Sequence, residues 1–242
     1  MLTQSREHAT GRSCRMASLP HKRDIPPPVP DEAAAGPAQV MSRETPCIQT
    51  LPAEIHRLYE VHEWRHACAV LRNDFPAEYA DVIDVLRKFR LKRSHIKDPG
   101  GSKSQVARAI DSAFFAKKPP WQEKMFGTQI VVDGNPIESP THSVDCYRNG
   151  VALEVEWNNK DPFFDRDLNN FRLLFDLRVI SVGIIITRCD ELQQIFKSLG
   201  RGSSYGASTT HMSKLLPRLE GGGGGGCPVL VFGIRKALYM ED

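Results

Sequence analysis

The sequence predicts an α/β (α+β) fold in which a mixed central β-sheet is flanked by helices. The first observation is a pair of alternating, strand-like runs joined by Asn149-Gly150, a dipeptide that favours tight turns between antiparallel strands. The second is a pair of apolar runs, residues 179–187 and 228–234, typical of strands buried on both faces. The third is helical periodicity before and between these runs. A hairpin followed by strands alternating with helices predicts a sheet of mixed direction.

Length and composition indicate how many domains the chain has. Its 242 residues are 40% hydrophobic, which is enough for one sizeable core. We therefore expect a single domain over residues 45–242, with a helical part (45–100) ahead of the part that carries the hairpin (101–242). Residues 1–44 are rich in Pro and Ala, which predicts a disordered N-terminal tail. Met41 is an alternative translation start.

Charge and cysteine usage narrow the class of protein. A net charge of +3 allows local patches of either sign and selects no partner. Six cysteines without CxxC spacing favour a reducing cytoplasm over a disulfide scaffold or a structural zinc site. The sequence has no apolar run long enough to cross a membrane and no secretory signal. We therefore expect a cytoplasmic protein without a membrane segment.

Helical segments are predicted on both sides of the hairpin. Ahead of it, helices are expected at residues 53–71, 77–91 and 104–115, with a strand at 128–132 and a turn at 133–136. After it, helices are expected at residues 165–177, 191–199 and 208–219. Residues 221–226 are all glycine. They lack both G-x-G-x-x-G spacing and a P-loop lysine, so they predict a flexible linker and no nucleotide cofactor.

Three acidic residues on the hairpin are the strongest candidates for chemistry. Because side chains alternate along a strand, Glu154 and Glu156 share one face while Val155 faces the other way. Asp145 comes from the partner strand. Converging carboxylates repel one another unless a cation joins them, and hard oxygen ligands suit Mg²⁺, Mn²⁺ or Ca²⁺. The pattern predicts a divalent-metal site for phosphate chemistry, with a solvated acidic strand face as the alternative.

A rival site is offered by the run His62-Glu63-Trp64-Arg65-His66. On a helix, its two histidines would face one zinc ion and its glutamate could act as a base. Arg65 places a positive charge inside the motif, and no third ligand follows in the expected context. A surface helix with scattered histidines is therefore favoured over a zinc peptidase.

Two polar segments are candidates for contact with DNA. The first follows the acidic strand, and its side chains suit pairing with base edges or phosphate; it consists of Asn158, Asn159 and Lys160. The second is a glycine-containing loop that could touch bases or phosphates; its candidates are Arg201, Ser203, Ser204 and Tyr205. Each segment also has a plain interpretation as a polar turn.

The spacing Asp145-(eight residues)-Glu154-Val155-Glu156 resembles the active-site signature of the BglII/BstYI type II restriction endonucleases. These enzymes have the PD-(D/E)xK nuclease fold. The polar turn, helix, strand and Ser-Ser-Tyr loop that follow are similar in order to that family, and the similarity covers about residues 100–235. The family usually has glutamine at the position of Glu156, and a glutamate there resembles the BamHI arrangement.

The resemblance implies a Mg²⁺-dependent endonuclease that cuts double-stranded DNA. Asp145 and Glu154 would bind the metal, with the carbonyl of Val155 as a further ligand. Glu156 would position or deprotonate the attacking water. A catalytically inactive DNA-binding module of the same fold is the alternative to an active nuclease.

The resemblance also implies a homodimer on a palindromic site that contains GATC, because two-fold DNA symmetry matches two-fold protein symmetry. The apolar stripes of the early helices are candidates for the dimer contact, with an intramolecular core as the alternative. In the basic loop before the hairpin, Lys124 or Glu123 would contact the phosphate or the metal.

Overall fold

The structure is a computed structural model that describes residues 45–98, 101 and 103–242, with the backbone alone at residues 139 and 140. The predicted disordered tail, residues 1–44, and the alternative start at Met41 lie outside the described residues. The described residues belong to one compact unit.

Helices and strands alternate along much of the described chain. The α-helices are α1 (Pro46–Gln49), α2 (Ala53–Leu58), α3 (Ala67–Asp74), α4 (Pro76–Lys88), α5 (Arg93–Lys97), α6 (Gln105–Phe115), α7 (Phe163–Asp176), α8 (Gln193–Ser198) and α9 (Met212–Glu220). The strands are β1 (Tyr59–Trp64), β2 (Leu91–Lys92), β3 (Gln122–Lys124), β4 (Gly127–Val132), β5 (Asn135–Pro140), β6 (Val144–Arg148), β7 (Val151–Val155), β8 (Val182–Arg188), β9 (Val229–Ile234) and β10 (Tyr239–Met240). Short 3₁₀ helices lie at Asp190–Leu192 and Lys236–Leu238.

The central sheet has six strands in the order β1-β9-β8-β7-β6-β3. Strands β7, β8 and β9 are parallel, whereas β1, β6 and β3 are antiparallel to their neighbours. Every residue of β8 and β9 is buried, as expected for central strands covered on both faces. The predicted mixed sheet flanked by helices is therefore confirmed.

Helices cover both faces of this sheet. One apolar cluster joins α2, α3, α4 and α6 to one face, on which Val151, Leu153 and Val155 of β7 lie. The other joins α7 and α9 to the opposite face, where β7 contributes Ala152. The apolar stripe of α4 is buried in the first cluster, so it forms intramolecular core and is not available for the predicted dimer contact. Among the described residues, no helix is both long and apolar enough to cross a membrane.

The predicted helix at residues 53–71 is wrong. The chain is helical only to Leu58 and then forms β1, which pairs antiparallel with β9 from Tyr59 opposite Ile234 to Trp64 opposite Val229. It turns at Arg65 and His66, whose φ angles are +56° and +57°, before α3. Pairing with a buried strand distant in sequence has overridden the local helical pattern.

The segment ahead of the acidic hairpin holds a strand that the sequence pattern did not indicate. The turn falls at residues 133–134, within the predicted 133–136; β5 begins at Asn135 and pairs with β4 in a separate two-stranded sheet. Pro136 and Pro140 within β5 weaken its strand signal. A strand outside the central sheet can accommodate them because it has a free edge.

The glycine run is a packed turn and not the predicted open linker. Residues 221–226 join α9 to β9, and the carbonyl of Gly225 accepts hydrogen bonds from the side chains of Trp64 and Arg65. Gly225 has φ +58°, and a Cβ there would lie 2.7 Å from side-chain atoms of Arg172. Backbone conformation and close packing account for glycine at this position.

Candidate active site

The acidic hairpin forms as predicted. Its turn residues Asn149 and Gly150 have φ +47° and +82°, the left-handed pair that a type I′ turn requires. The paired residues of β6 and β7 include Cys146 opposite Leu153. Two hydrogen bonds cross the hairpin: the Asp145 amide donates to Oε2 of Glu154 at 3.3 Å, and the Val155 amide donates to Oδ2 of Asp145 at 3.0 Å. Asp145 and Glu154 are thus brought together on adjacent strands.

A buried arginine, Arg148, fixes the hairpin at the end next to its turn. Arg148 donates from Nε to Glu78 at 2.9 Å and from Nη1 to Asp81 at 2.6 Å, both on α4, and also to the carbonyl of Pro119. It lies 5.2 Å from the ring centre of Trp121. Because these partners come from distant segments, the network ties the acidic strands to the helical layer.

The sequence reasoning missed Lys103, a cation that lies beside Asp145. Its Nζ lies 3.0 Å from Oδ1 of Asp145 and 2.5 Å from Oδ2 of Asp111. Asp111 belongs to the buried face of α6, and burial raises its pKa to about 6 against the opposing effect of Lys103. Asp111 lies within the apolar stripe of a helix, and a buried acid of this kind needs a charged or hydrogen-bonding partner. That position was the signal in the sequence that could have indicated Lys103.

The second and third acids face α7 and are buried, with 1% of Glu154 and 2% of Glu156 exposed. The alternative of a solvated acidic strand is therefore wrong. Burial raises the pKa of Glu156 to about 9 and that of Glu154 well above its usual range, and the nearby Asp167 carboxylate adds to both effects. Asp167 lies on the buried face of α7, so it too carried the signal of an acid within an apolar stripe.

Two side chains hold the Glu156 carboxylate. Nδ2 of Asn159 donates to Oε2 at 2.8 Å, and Nη2 of Arg166 lies 3.3 Å from Oε1. Arg166 also donates to Oδ1 of Asp167 at 2.8 Å and packs 4.2 Å from the ring centre of Phe163. Both oxygens of Glu156 are therefore restrained in orientation.

A cavity of about 280 Å³ opens in front of these groups. Its lining includes five residues of the predicted site but not, among the described residues, Glu154; the five are Asp145, Val155, Glu156, Asn158 and Asn159. Charged and imidazole side chains from other elements complete it: Lys103, Glu123, His142 and Arg166. The structure thus gathers acids, amides and cations at one polar opening.

The residues present fit a divalent cation. Oε1 of the buried Glu154 has no hydrogen-bond partner among the described residues. Leaving a buried carboxylate oxygen unpaired is costly, and a cation with hard oxygen ligands would satisfy it. Asp145 and Glu154 are the side chains that could hold that cation, and Val155 lies next to both on the cavity wall.

The polar segment after β7 divides between the cavity and the surface. Asn158 lines the cavity, and its Oδ1 is buried without a partner in the described part of the chain. Lys160 is exposed, and its backbone forms an isolated antiparallel β-bridge with Thr209. Lys124, in the preceding strand, lies 4.7 Å from the ring centre of Tyr147, while Glu123 accepts a hydrogen bond from Ser143.

The Ser-Ser-Tyr loop lies elsewhere, because its four candidates are not among the described residues that line the acidic cavity. Ser203 and Ser204 are exposed, and Arg201 is partly buried. Tyr205 is 5% exposed; its ring stacks on Phe196 and its hydroxyl accepts a hydrogen bond from Trp157 at 3.3 Å. The Tyr205 side chain is thus part of the core and not available to DNA in this conformation.

The His-Glu-x-x-His run does not have the geometry of a zinc peptidase. His62 and Glu63 lie on β1 and not on a helix. Nε2 of His62 is 2.8 Å from Oε1 of Glu60. Glu63 accepts hydrogen bonds from the Cys68 amide at 2.7 Å and from the Thr45 hydroxyl. These bonds hold the glutamate in a structural role.

The central sheet is mixed, and its acidic hairpin precedes the parallel strands β8 and β9. This arrangement defines a restriction-endonuclease-like nuclease fold. The family model described as "Restriction endonuclease BglII/BglIII" matches residues 59–234, which is most of the chain. The chain belongs to this family, and it is accordingly a type II site-specific deoxyribonuclease. The match begins at β1, well ahead of the segment that carries the sequence signature. No curated protein matches the chain significantly.

Proposed function

We propose that this endonuclease uses Mg²⁺ to hydrolyse double-stranded DNA at a palindrome containing GATC, acting as a homodimer in the cytoplasm, where its substrate lies. The observation that carries the metal requirement is the unpaired, buried Oε1 of Glu154 beside Asp145. Membership of the BglII/BglIII family supports the palindromic substrate and therefore the two-fold dimer.

The proposed division of labour follows the contacts in the cavity. Asp145 and Glu154 hold the cation, with the carbonyl of Val155 as a further ligand. A bound Mg²⁺ would polarise the scissile phosphate and acidify an attacking water. Glu156, restrained by Asn159 and Arg166, orients that water.

Positive charge at the cavity supports entry of a phosphodiester. Lys103 and Arg166 both line it, and each is balanced by a carboxylate. A phosphate would interact with the outward sides of these cations, as oriented charges do in phosphoryl chemistry. Lys124, Lys160 and Arg201 lie outside this lining and are proposed as contacts to more distant phosphates.

Recognition of bases is assigned to the segment beside the cavity and to the exposed serines. Asn158 lines the cavity, and its Oδ1, although buried, has no hydrogen-bond partner among the described residues; its side-chain amide is therefore proposed to read an adenine edge. Ser203 and Ser204 are exposed and are proposed as further contacts, because hydroxyls can bond to either type of base.

Sequencing the ends of digested DNA tests the proposal. The protein is incubated with a plasmid library of diverse sequence in Mg²⁺ or in EDTA. The proposal expects all ends produced in Mg²⁺ to share one palindrome containing GATC, and no cutting in EDTA. Ends at an unrelated motif would refute the proposed site. Binding without any cutting would instead identify an inactive DNA-binding module.

A further inference from the structure

We propose a second divalent-cation site, formed by His142, Glu154 and Asp167 and suited to Mn²⁺ or another borderline metal. It goes beyond the proposed function, which places one Mg²⁺ at Asp145 and Glu154, and it shares Glu154 with that site, so Oε1 of Glu154 would lie between the two cations. One ligand atom from each of the three residues lies within 4.8 Å of the others. They come from three different places: the segment between β5 and β6, the acidic strand β7 and the helix α7.

Two residues of this cluster have an unpaired buried oxygen. Asp167 is fully buried and Glu154 is 1% exposed. Oδ2 of Asp167 and Oε1 of Glu154 have no hydrogen-bond partner among the described residues. The other oxygen of each is used, by Arg166 and by the Asp145 amide respectively. Each carboxylate therefore has one oxygen fixed by protein and one free for a ligand.

Charge in the surrounding network favours uptake of a cation. Five carboxyl groups lie in one network with two cationic side chains. If all seven groups were ionised, three negative charges would be unbalanced. The carboxyl groups are those of Asp111, Asp145, Glu154, Glu156 and Asp167, and the cations are Lys103 and Arg166. Such an excess is relieved either by protonation or by a bound metal.

A shared proton is the main competitor of a metal. Glu156 lies close enough to Asp167 for one carboxyl to hydrogen-bond the other. That proton would satisfy Glu156 and Asp167 but would leave Oε1 of Glu154 and the imidazole of His142 unused. A cation would engage all three residues of the cluster at once.

His142 selects the type of metal. Its carbonyl accepts a hydrogen bond from Nδ2 of Asn170 on α7 at 3.1 Å, which fixes the backbone beside Asp167. A nitrogen of its imidazole lies within 4.8 Å of carboxylate oxygens of Glu154 and Asp167, so one cation could reach all three ligands. One imidazole nitrogen with two carboxylates suits Mn²⁺, Co²⁺ or Zn²⁺ better than Mg²⁺ or Ca²⁺.

Binding of Mn²⁺ to the full chain without DNA tests the second site, with free Mn²⁺ followed by electron paramagnetic resonance. The wild type should bind Mn²⁺, and both Asp167→Asn and His142→Ala should weaken that binding by about 10-fold or more. Asp165→Asn is the matched control and should bind as the wild type does, because Asp165 lies on the same helix, is exposed and pairs with Arg218. Circular dichroism establishes that each variant is folded.

Two outcomes would overturn the proposal. One is Mn²⁺ binding that is unaffected by both Asp167→Asn and His142→Ala, or absent from the wild type. The other is a loss on Asp165→Asn as large as the loss on Asp167→Asn, which would show that removing any negative charge from α7 weakens binding. This measurement uses no DNA. A failure of the second metal site is therefore distinguishable from a failure of the proposed Mg²⁺-dependent cleavage.

Discussion

Nδ2 of Asn159 donates a hydrogen bond to Oε2 of Glu156 over 2.8 Å. The bond links the residue at which this chain differs from the usual family signature to the polar segment proposed to meet DNA. Arg166 occupies the other oxygen of the same carboxylate. Glu156 is therefore held as an oriented hydrogen-bonding group, which bears directly on its part in cleavage.

Replacing Glu156 with glutamine should preserve most of the cleavage rate. Glutamine keeps the size of the side chain: its amide oxygen can accept from Arg166, and its NH2 group can donate to Oδ1 of Asn159 once the Asn159 amide flips. We therefore expect a single-turnover rate within about 10-fold of the wild type, whereas Glu156→Ala should lose about 10²–10⁴. Equal, severe losses in the glutamine and alanine variants would show that Glu156 is an obligatory base.

Substitutions of Asn158 and Asn159 should affect different properties, the first the choice of DNA sequence and the second the cleavage rate. Asn159→Ala removes the donor to Glu156, so we expect a slower rate with unchanged preference among DNA sequences. Asn158→Ala removes the unpaired amide oxygen and should cost about 1–3 kcal/mol of discrimination between the cognate site and a site with one base pair changed. Cleavage rates on both duplexes measure this. A loss of discrimination from Asn159→Ala alone would reverse the assignment.

Removal of Arg148 should destabilise the fold strongly. Arg148→Met leaves the carboxylates of Glu78 and Asp81 without their buried partner, and we expect a loss of about 3–5 kcal/mol in the free energy of unfolding, measured in urea. Arg57→Ala is the control: Arg57 is 64% exposed, 3.8 Å from Glu54, and should change stability by less than about 1 kcal/mol. Similar small losses in both variants would contradict the anchoring role.

A substitution in the glycine run distinguishes a packed turn from a flexible linker. Gly225→Ala introduces a side chain at φ +58°, 2.7 Å from Arg172, and should lower the free energy of unfolding by about 1–3 kcal/mol. Gly127→Ala, where a Cβ would meet no atom within 4 Å, should change it little. Thermal and urea unfolding provide the comparison. A neutral Gly225→Ala would restore the linker interpretation.

The parts of the fold that the sequence predicted carry strong local signals. Asn149-Gly150 marks a hairpin by its turn chemistry, and the apolar runs of β8 and β9 mark buried strands by composition. Helices α4, α6 and α7 follow the 3.6-residue period. The acids of the hairpin could be placed on one face because strand alternation is a local property.

What the sequence did not predict depends on contacts between distant segments. Strand β1 exists because β9 offers it a partner, and the glycine run is compact because α7 packs against it. The neighbours of the acids, Lys103, His142 and Asp167, reach them from three other segments. A recognisable local signal, a charge within the apolar stripe of a helix, existed for Asp167 itself and for Asp111, the partner of Lys103.

Cleavage by Asp145→Asn in Mg²⁺, at the site identified by end sequencing, tests the central claim most directly. Asparagine keeps the shape of Asp145 but removes the negative charge that would hold the cation. The proposed site predicts that cleavage is abolished while binding to the same duplex, measured by fluorescence anisotropy, stays near the wild-type level. Cleavage at an unchanged rate would contradict the placement of the catalytic metal at this hairpin.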